Sequence, residues 1–415
     1  MKYFLPDSQD LVDPSFDFAT ERRSVDRVRQ QDDLYAHEVF DGRAFDGVLV
    51  SKAIVDGTGG AGQAKYTQAQ RRRILREGVR GFFRAEEHRW GPLRFMGDCG
   101  AFSYVKEDVP PYTVDEVIDF YERCGFDDGI SVDHVIREYR PLWDNDLFGA
   151  QAVPAAIQAR QQLTLELARE FFATIARGRL KVVPVGVAQG WGPRSYAHAV
   201  AELQRIGFRY IALGGVVPLK TAEIVACLEA VHQVRGPETR LHLLGVTRLD
   251  QLATFAKLGV VSFDSTSPLR QAFMDDRDNY YTLDRTYSAI RVPQVQGNVR
   301  LQARIRSGEV DQDVARVAEQ RCLIRLAAYD AGKCGLKAVL EALRGYAQLH
   351  DPRTDRTESY REALEARPWA ACPCEVCRRL GHHVLLFRGA ERNRRRGFHN
   401  VWTFYRRLQR GIAAL

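Results

Sequence analysis

Seven short apolar runs punctuate the first two thirds of the chain, each the length of a strand: 47–50, 93–97, 129–132, 182–187, 210–213, 241–246 and 260–263. Between the later runs, residues 196–206, 220–234 and 250–258 place apolar side chains at i, i+3, i+4 and i+7, the spacing of an amphipathic helix. Short buried strands alternating with helices predict βα units and a parallel sheet. Residues 287–292 read as an eighth strand, and eight units over ~250 residues match the size of a (β/α)₈ barrel. A doubly wound open sheet is the alternative, but no glycine-rich dinucleotide fingerprint follows the first run. The expected organisation is an N-terminal arm over 1–44, an α/β barrel over 45–297, a helical insertion over 298–366 and a C-terminal subdomain over 367–415. Helical periodicity over 314–329 and 336–349 carries the insertion.

Composition narrows the class. With 45% hydrophobic and 27% charged residues in 415, the chain is globular, not disordered or fibrous. No apolar run approaches the ~20 residues that cross a bilayer. The stretch Met1–Asp7 has no apolar core, which predicts no secretory signal. Eight cysteines are too sparse for a disulfide scaffold, so the expected compartment is the reducing cytoplasm. The formal charge is +7, but residues 372–415 hold 10 Arg and only Glu375 and Glu391 as acids. Nearly all the surplus basicity lies in that segment, as arginine, whose planar fork of donors suits phosphate.

Polar residues cluster where the apolar runs end. Asp98-Cys99-Gly100-Ala101-Phe102 follows the second run and Asp133 the third. Gln189-Gly190, Gly214-Gly215 and Asp264 follow the fourth, fifth and seventh. In a barrel these ends converge on one face, where active sites are built. One Asp after a strand is usually a helix cap. Three, with an amide and a glycine pair that lets a ligand approach the backbone, point to chemistry. Crowded carboxylates separate in pKa, giving one nucleophile and one proton carrier, as in displacement at an anomeric carbon. Cys372, Cys374 and Cys377 lie within six residues, and with one histidine they offer a closed tetrahedral set for a structural Zn²⁺. His399 is the candidate fourth ligand, with His382 and His383 nearer in sequence.

This ordered set resembles the tRNA-guanine transglycosylases. The likeness runs through Asp98–Phe102, Asp133, Gly186-Val187-Ala188-Gln189-Gly190, Gly214-Gly215 and Leu244-Gly245-Val246. It continues through Phe263-Asp264, Pro268-Leu269-Arg270, the three cysteines and His399-Asn400. It implies a (β/α)₈ barrel with a zinc subdomain that exchanges guanine in nucleic acid for a 7-deazaguanine. Asp264 matches the nucleophile that attacks C1′, and Asp98 the acid/base. Asp133, Gln189, Gly190, Gly214, Gly215, Cys99 and Phe102 match base-binding positions. Cys372, Cys374, Cys377 and His399 match the ligands of one structural Zn²⁺ per chain, the His399-Asn400 pair favouring His399.

Four departures narrow the resemblance. Cys99 and Ala101 stand where the family has Ser and Gly, Ser265 follows the nucleophile where a cysteine is common, and Leu269 replaces Thr. Gly214-Gly215 leads into Val216-Val217-Pro218-Leu219-Lys220, without the Gly-Glu that tRNA enzymes associate with an aminomethyl-bearing base. Losing that acid fits a neutral nitrile. The pattern looks most like the branch that inserts 7-cyano-7-deazaguanine (preQ0) into DNA. An enzyme acting on tRNA, or a catalytically silent zinc-containing nucleic-acid-binding subunit, are the alternatives. Helper proteins of a modification system fit that branch, whereas no membrane partner is expected. Arg270, Arg388, Arg392, Arg394, Arg395 and Arg396 are the expected phosphate contacts.

Overall fold

The structure, a computed structural model, describes residues 1–57, 65–86, 90–144, 152–274 and 277–414. Eight parallel strands close into a barrel in chain order. They are β1 Lys2–Pro6, β2 Gly47–Ser51, β3 Arg94–Asp98, β4 Asp128–Ile130, β5 Val183–Ala188, β6 Tyr210–Leu213, β7 Arg240–Leu243 and β8 Val260–Asp264. Seven are the apolar runs of the sequence. The eighth corrects two expectations. The first strand lies within the segment expected to be an arm, and it closes the barrel by pairing Phe4 with Gly47 on one side and with Asp264 on the other. Residues 287–292 stay outside, because a barrel closed by β1 and β8 has no free edge to offer them. They form only the two-residue pieces Thr286–Tyr287 and Ile290–Arg291, paired with Tyr280–Tyr281 and Leu386–Phe387.

The barrel interior is filled, not hollow. Phe4, Leu49, Met96, Ile130, Val185, Val187, Tyr210 and Ala212 form one buried cluster from six strands. Outside it, glycine makes one close approach possible: a Cβ on Gly97 would lie 2.3 Å from the ring of Tyr121, whose hydroxyl donates to Ile130 O at 2.9 Å. The helices Pro193–Ile206, Thr221–Val234 and Leu252–Lys257 lie where the periodicity places them. The first is capped by the Asp144 carboxylate, which accepts from the Arg194 and Ser195 amides.

The chain divides into two compact units. The first is the barrel, with Met1–Gln9, Phe45–Thr266 and Leu408–Leu415. The second comprises Asp10–Ala44 and Ser267–Arg407. It contains the helices Gln312–Asp330 and Leu336–His350, matching the periodicity over 314–329 and 336–349. Among the described residues no helix is long and apolar enough to cross a membrane.

Candidate active site and metal centre

The polar residues singled out at the strand ends lie at one end of the barrel, since parallel strands bring their C-termini to a common face. Asp98 ends β3 and Asp264 ends β8, while Asp133 follows β4, Gln189 follows β5, and Gly214-Gly215 follows β6. Asp133 is 3% exposed and accepts from Gln189 Nε2 at 2.6 Å and Cys99 Sγ at 3.3 Å. The Tyr104 hydroxyl lies 3.1 Å from that sulfur and 3.2 Å from Asp133 O. Burial lifts the Asp133 carboxyl to about 6, against the hydrogen bonds from Gln189 and Cys99 that favour its ionised form. Burial also pushes the Cys99 thiol up, keeping it a thiol and thus a donor to Asp133.

Asp98 is half-buried. Burial, with the negative charges of Asp133 and Asp264, pushes its carboxyl up to about 7, while the Gly100 amide pulls the other way. Among the described residues, none of the three acids forms an ion pair with Lys or Arg. Asp264 is 7% exposed, and its Oδ1 accepts from His242 Nε2 at 3.1 Å and from the Gly245 amide at 3.0 Å. The arrangement can therefore supply one buried, oriented carboxylate and a second carboxyl poised to move a proton near neutrality.

The glycines have a more specific role than open access for a ligand. A Cβ on Gly214 would lie 2.2 Å from Gln189 Nε2, and one on Gly215, at φ +73°, 2.6 Å from Ile136 O. The pair makes room for Gln189 to reach Asp133. A Cβ on Gly190 would meet Ser195 and Tyr196 at 2.9 Å, so that glycine is needed for packing. Phe102, just past Asp98, is 66% exposed. His242 and Tyr104 escaped the sequence reading, and Gly245 entered it within Leu244-Gly245-Val246 without a role of its own. A lone histidine inside the apolar run over 241–246 is the one signal that could have found His242.

In the second unit, the ligand atoms of Cys372, Cys374, Cys377 and His399 all lie within 4.8 Å of one another. His399 Nδ1 is 3.6, 3.4 and 3.3 Å from the sulfurs of Cys372, Cys374 and Cys377. A tetrahedral zinc with ordinary Zn–S and Zn–N bonds has an S···N edge of ~3.5 Å, so the donors fit such an ion. His399 Nε2 donates to Tyr281 O at 2.7 Å, which leaves Nδ1 free to ligate. Asn400 holds the same strand, accepting from Tyr281 N at 2.9 Å and donating to Asn279 O at 3.0 Å. The rival histidines are engaged elsewhere, His382 with Asp330 at 3.0 Å and His383 against the ring of Phe18.

The expected phosphate platform is corrected. Arg388, Arg392, Arg395 and Arg396 are no more than 7% exposed. Arg388 and Arg392 pair with Glu21, Arg395 with Glu391, and Arg396 donates to the carbonyls of Val384, Leu386 and Ala272. A guanidinium spent on internal carboxylates and carbonyls cannot release counterions from phosphate. Arg394 is half-buried and faces Asp10, whereas Arg270 is exposed. Arginine's planar fork and the run's place between the proposed zinc ligands point to phosphate contact in the sequence. Apart from Glu391, the run's carboxylate partners, Asp10, Glu21 and Glu319, are far off in sequence.

No family model matches the chain. A DNA-guanine transglycosylase of Salmonella montevideo is 47% identical over 413 residues, which cover 99% of this chain and 97% of that protein. Identity of that extent, together with the carboxylate-lined barrel mouth and the Cys₃His cluster, shows that the chain belongs to the DNA-guanine transglycosylase family.

Proposed function

We propose that this enzyme replaces guanine in DNA with 7-cyano-7-deazaguanine through a covalent intermediate on Asp264. The carrying observation is the pairing of Asp264, held in place through Oδ1, with Asp98, lifted to about 7. An Asp264 oxygen attacks C1′ of the target nucleotide, and the electron pair of the C1′–N9 bond leaves with the purine. Asp98 hands its proton to that purine and then takes one from the incoming base, whose nitrogen displaces the Asp264 carboxylate. Asp133, Gln189, Gly190, Gly214-Gly215, Cys99 and Phe102 make the base pocket, with Asp133 and Gln189 as its polar readers. The target base leaves its stack to reach them, at a cost of a few kcal/mol.

The polymer is assigned from the relative's name and from the missing acid after Gly214-Gly215. Exposed Arg137 and Arg140 on the loop after β4, and Arg194 in the first turn of the helix Pro193–Ile206, are better phosphate contacts than the buried arginines. Arg140 N donates to Trp191 O at 2.7 Å, which fixes that loop beside Gln189-Gly190. Cys372, Cys374, Cys377 and His399 would hold one structural Zn²⁺, tying the 372–377 stretch to the helix Gly389–Ala413 that carries His399. Incubating the protein with labelled 7-cyano-7-deazaguanine and either plasmid DNA or tRNA tests the reading. Label entering DNA is the expected result. Label entering tRNA alone, or neither polymer, overturns it.

A further inference from the structure

We infer that His242 is a positioning residue for the nucleophile, at the end of a buried chain of hydrogen bonds that runs Tyr210–Ser262–His242–Asp264. The inference rests on the reading of Asp264 as nucleophile and adds what makes one of its oxygens reactive.

All four groups lie in the barrel unit and are at most 7% exposed. His242 Nδ1 is 2.8 Å from Ser262 Oγ, and the Tyr210 hydroxyl hydrogen-bonds the same oxygen. Donor and acceptor roles follow from chemistry. An ionised carboxylate only accepts, so His242 Nε2 carries the hydrogen that meets Asp264 Oδ1. In the Nε2–H tautomer Nδ1 is an acceptor, and Ser262 donates to it. Ser262 Oγ in turn accepts from Tyr210, whose hydroxyl burial pushes up and so keeps protonated. Every hydrogen in the chain points toward Asp264, which is the direction in which such bonds polarise one another.

The backbone is arranged for this. The β7–β8 register slips by one residue between Leu241, opposite Val260, and His242, opposite Ser262, so Val261 has no partner of its own. Bulges of this kind re-aim side chains beside active sites. The imidazole is also held edge-on by Phe4 and Tyr210, with ring centroids 6.0 and 6.3 Å away.

The consequence is an asymmetric carboxylate. Oδ1 receives two donors, His242 Nε2–H and the Gly245 amide, so Oδ2 is the oxygen that bonds to C1′. In the ester, the same donors face the carbonyl oxygen. When the incoming base attacks C1′, the C1′–Oδ2 bond breaks and its electron pair returns to a carboxylate already stabilised at Oδ1. His242 thus acts in both half-reactions without touching the sugar.

The test is exchange of labelled guanine into plasmid DNA, which does not depend on the identity of the foreign base. His242→Phe removes the donor and should lower kcat by about 10²-fold, while KM for guanine stays within ~3-fold. His242→Gln restores an N–H toward Asp264 and should recover at least ~10-fold of that loss. Ser262→Ala, a smaller change that frees the tautomer, should lower kcat by ~3–10-fold and guards against misfolding of the Phe variant. Asp264→Asn is the reference. If it retains exchange, the nucleophile reading fails. If it is dead while His242→Phe and Ser262→Ala both keep kcat within twofold, the positioning role alone is overturned. Equal activities in the Phe and Gln variants overturn it as well.

Discussion

Two groups of acids in this protein live in opposite environments. At the barrel mouth, Asp98, Asp133 and Asp264 share a face, and none of them is ion-paired with Lys or Arg among the described residues. Two of them are pushed up in pKa, to about 7 and about 6. In the second unit, Glu21 is surrounded by cations. Burial raises it, yet hydrogen bonds from Arg388 and Gln294, with the charges of Arg388 and Arg392, hold it down at about 2. An acid held below its usual range stabilises the fold, whereas one held above it is strained by the fold and available for chemistry. The difference separates structural charge from working charge where sequence alone shows only Asp, Glu and Arg.

The sharpest break of that comparison is at the nucleophile. Asp264→Asn should lower exchange by at least ~10⁴-fold while retention on a DNA column stays within twofold of the parent. Loss of DNA retention in step with activity would mean that the residue supports the fold instead. Next in size is the structural group. Glu21→Gln leaves Arg392 with a buried, uncompensated charge and Arg388 with Glu319 alone, and should cost about 3–5 kcal/mol in denaturant unfolding. Cys374→Ala should release the metal and lower the Tm together, read by metal analysis and calorimetry on one sample.

Asp98 should behave in the reverse sense. Its folded pKa, about 7, lies above the ordinary value of 3.8, so the folded state holds more protons between those two pH values. Its contribution to stability is therefore complete at acid pH and is lost as pH rises through 7. Asp98→Asn should abolish exchange yet stabilise the protein at pH 8 by roughly 1–3 kcal/mol, with the gain gone near pH 4. For Glu21 the window is inverted: its contribution is present above the usual carboxylate range and lost as pH falls toward 2. The smallest effect is at the surface. Arg270→Ala should change stability by no more than ~0.5 kcal/mol and reduce the salt dependence of DNA binding by about one phosphate. Arg396→Ala, which removes donors from three carbonyls, should do the opposite.

Much of this was legible in the sequence where signals are local. Apolar runs followed by Asp, Gln or Gly mark strand ends, and the Cys372–Cys377 spacing marks a metal loop. Features made by long-range pairing were not legible. Tyr3-Phe4-Leu5 is too short a run to stand out beside the polar residues that follow it, and only closure against β8 makes it a strand. The buried role of Arg388–Arg396 depends on Asp10, Glu21 and Glu319, which no pattern along the chain connects to them. His242 reads as one more position in an apolar strand until the slipped register sets it against Ser262.

The pairing of the first strand with the last has a consequence for how the enzyme is made. Tyr3 donates to the carbonyl of Ser265, 262 residues away, and Phe4 sits in register with Asp264. Contacts so distant along the chain form late and slowly. During synthesis β1 has no final partner on that side until the residues around Asp264 have left the ribosome. The nucleophile therefore gains its β1 neighbour only after residue 264 has been made, and a shorter chain cannot open a glycosidic bond.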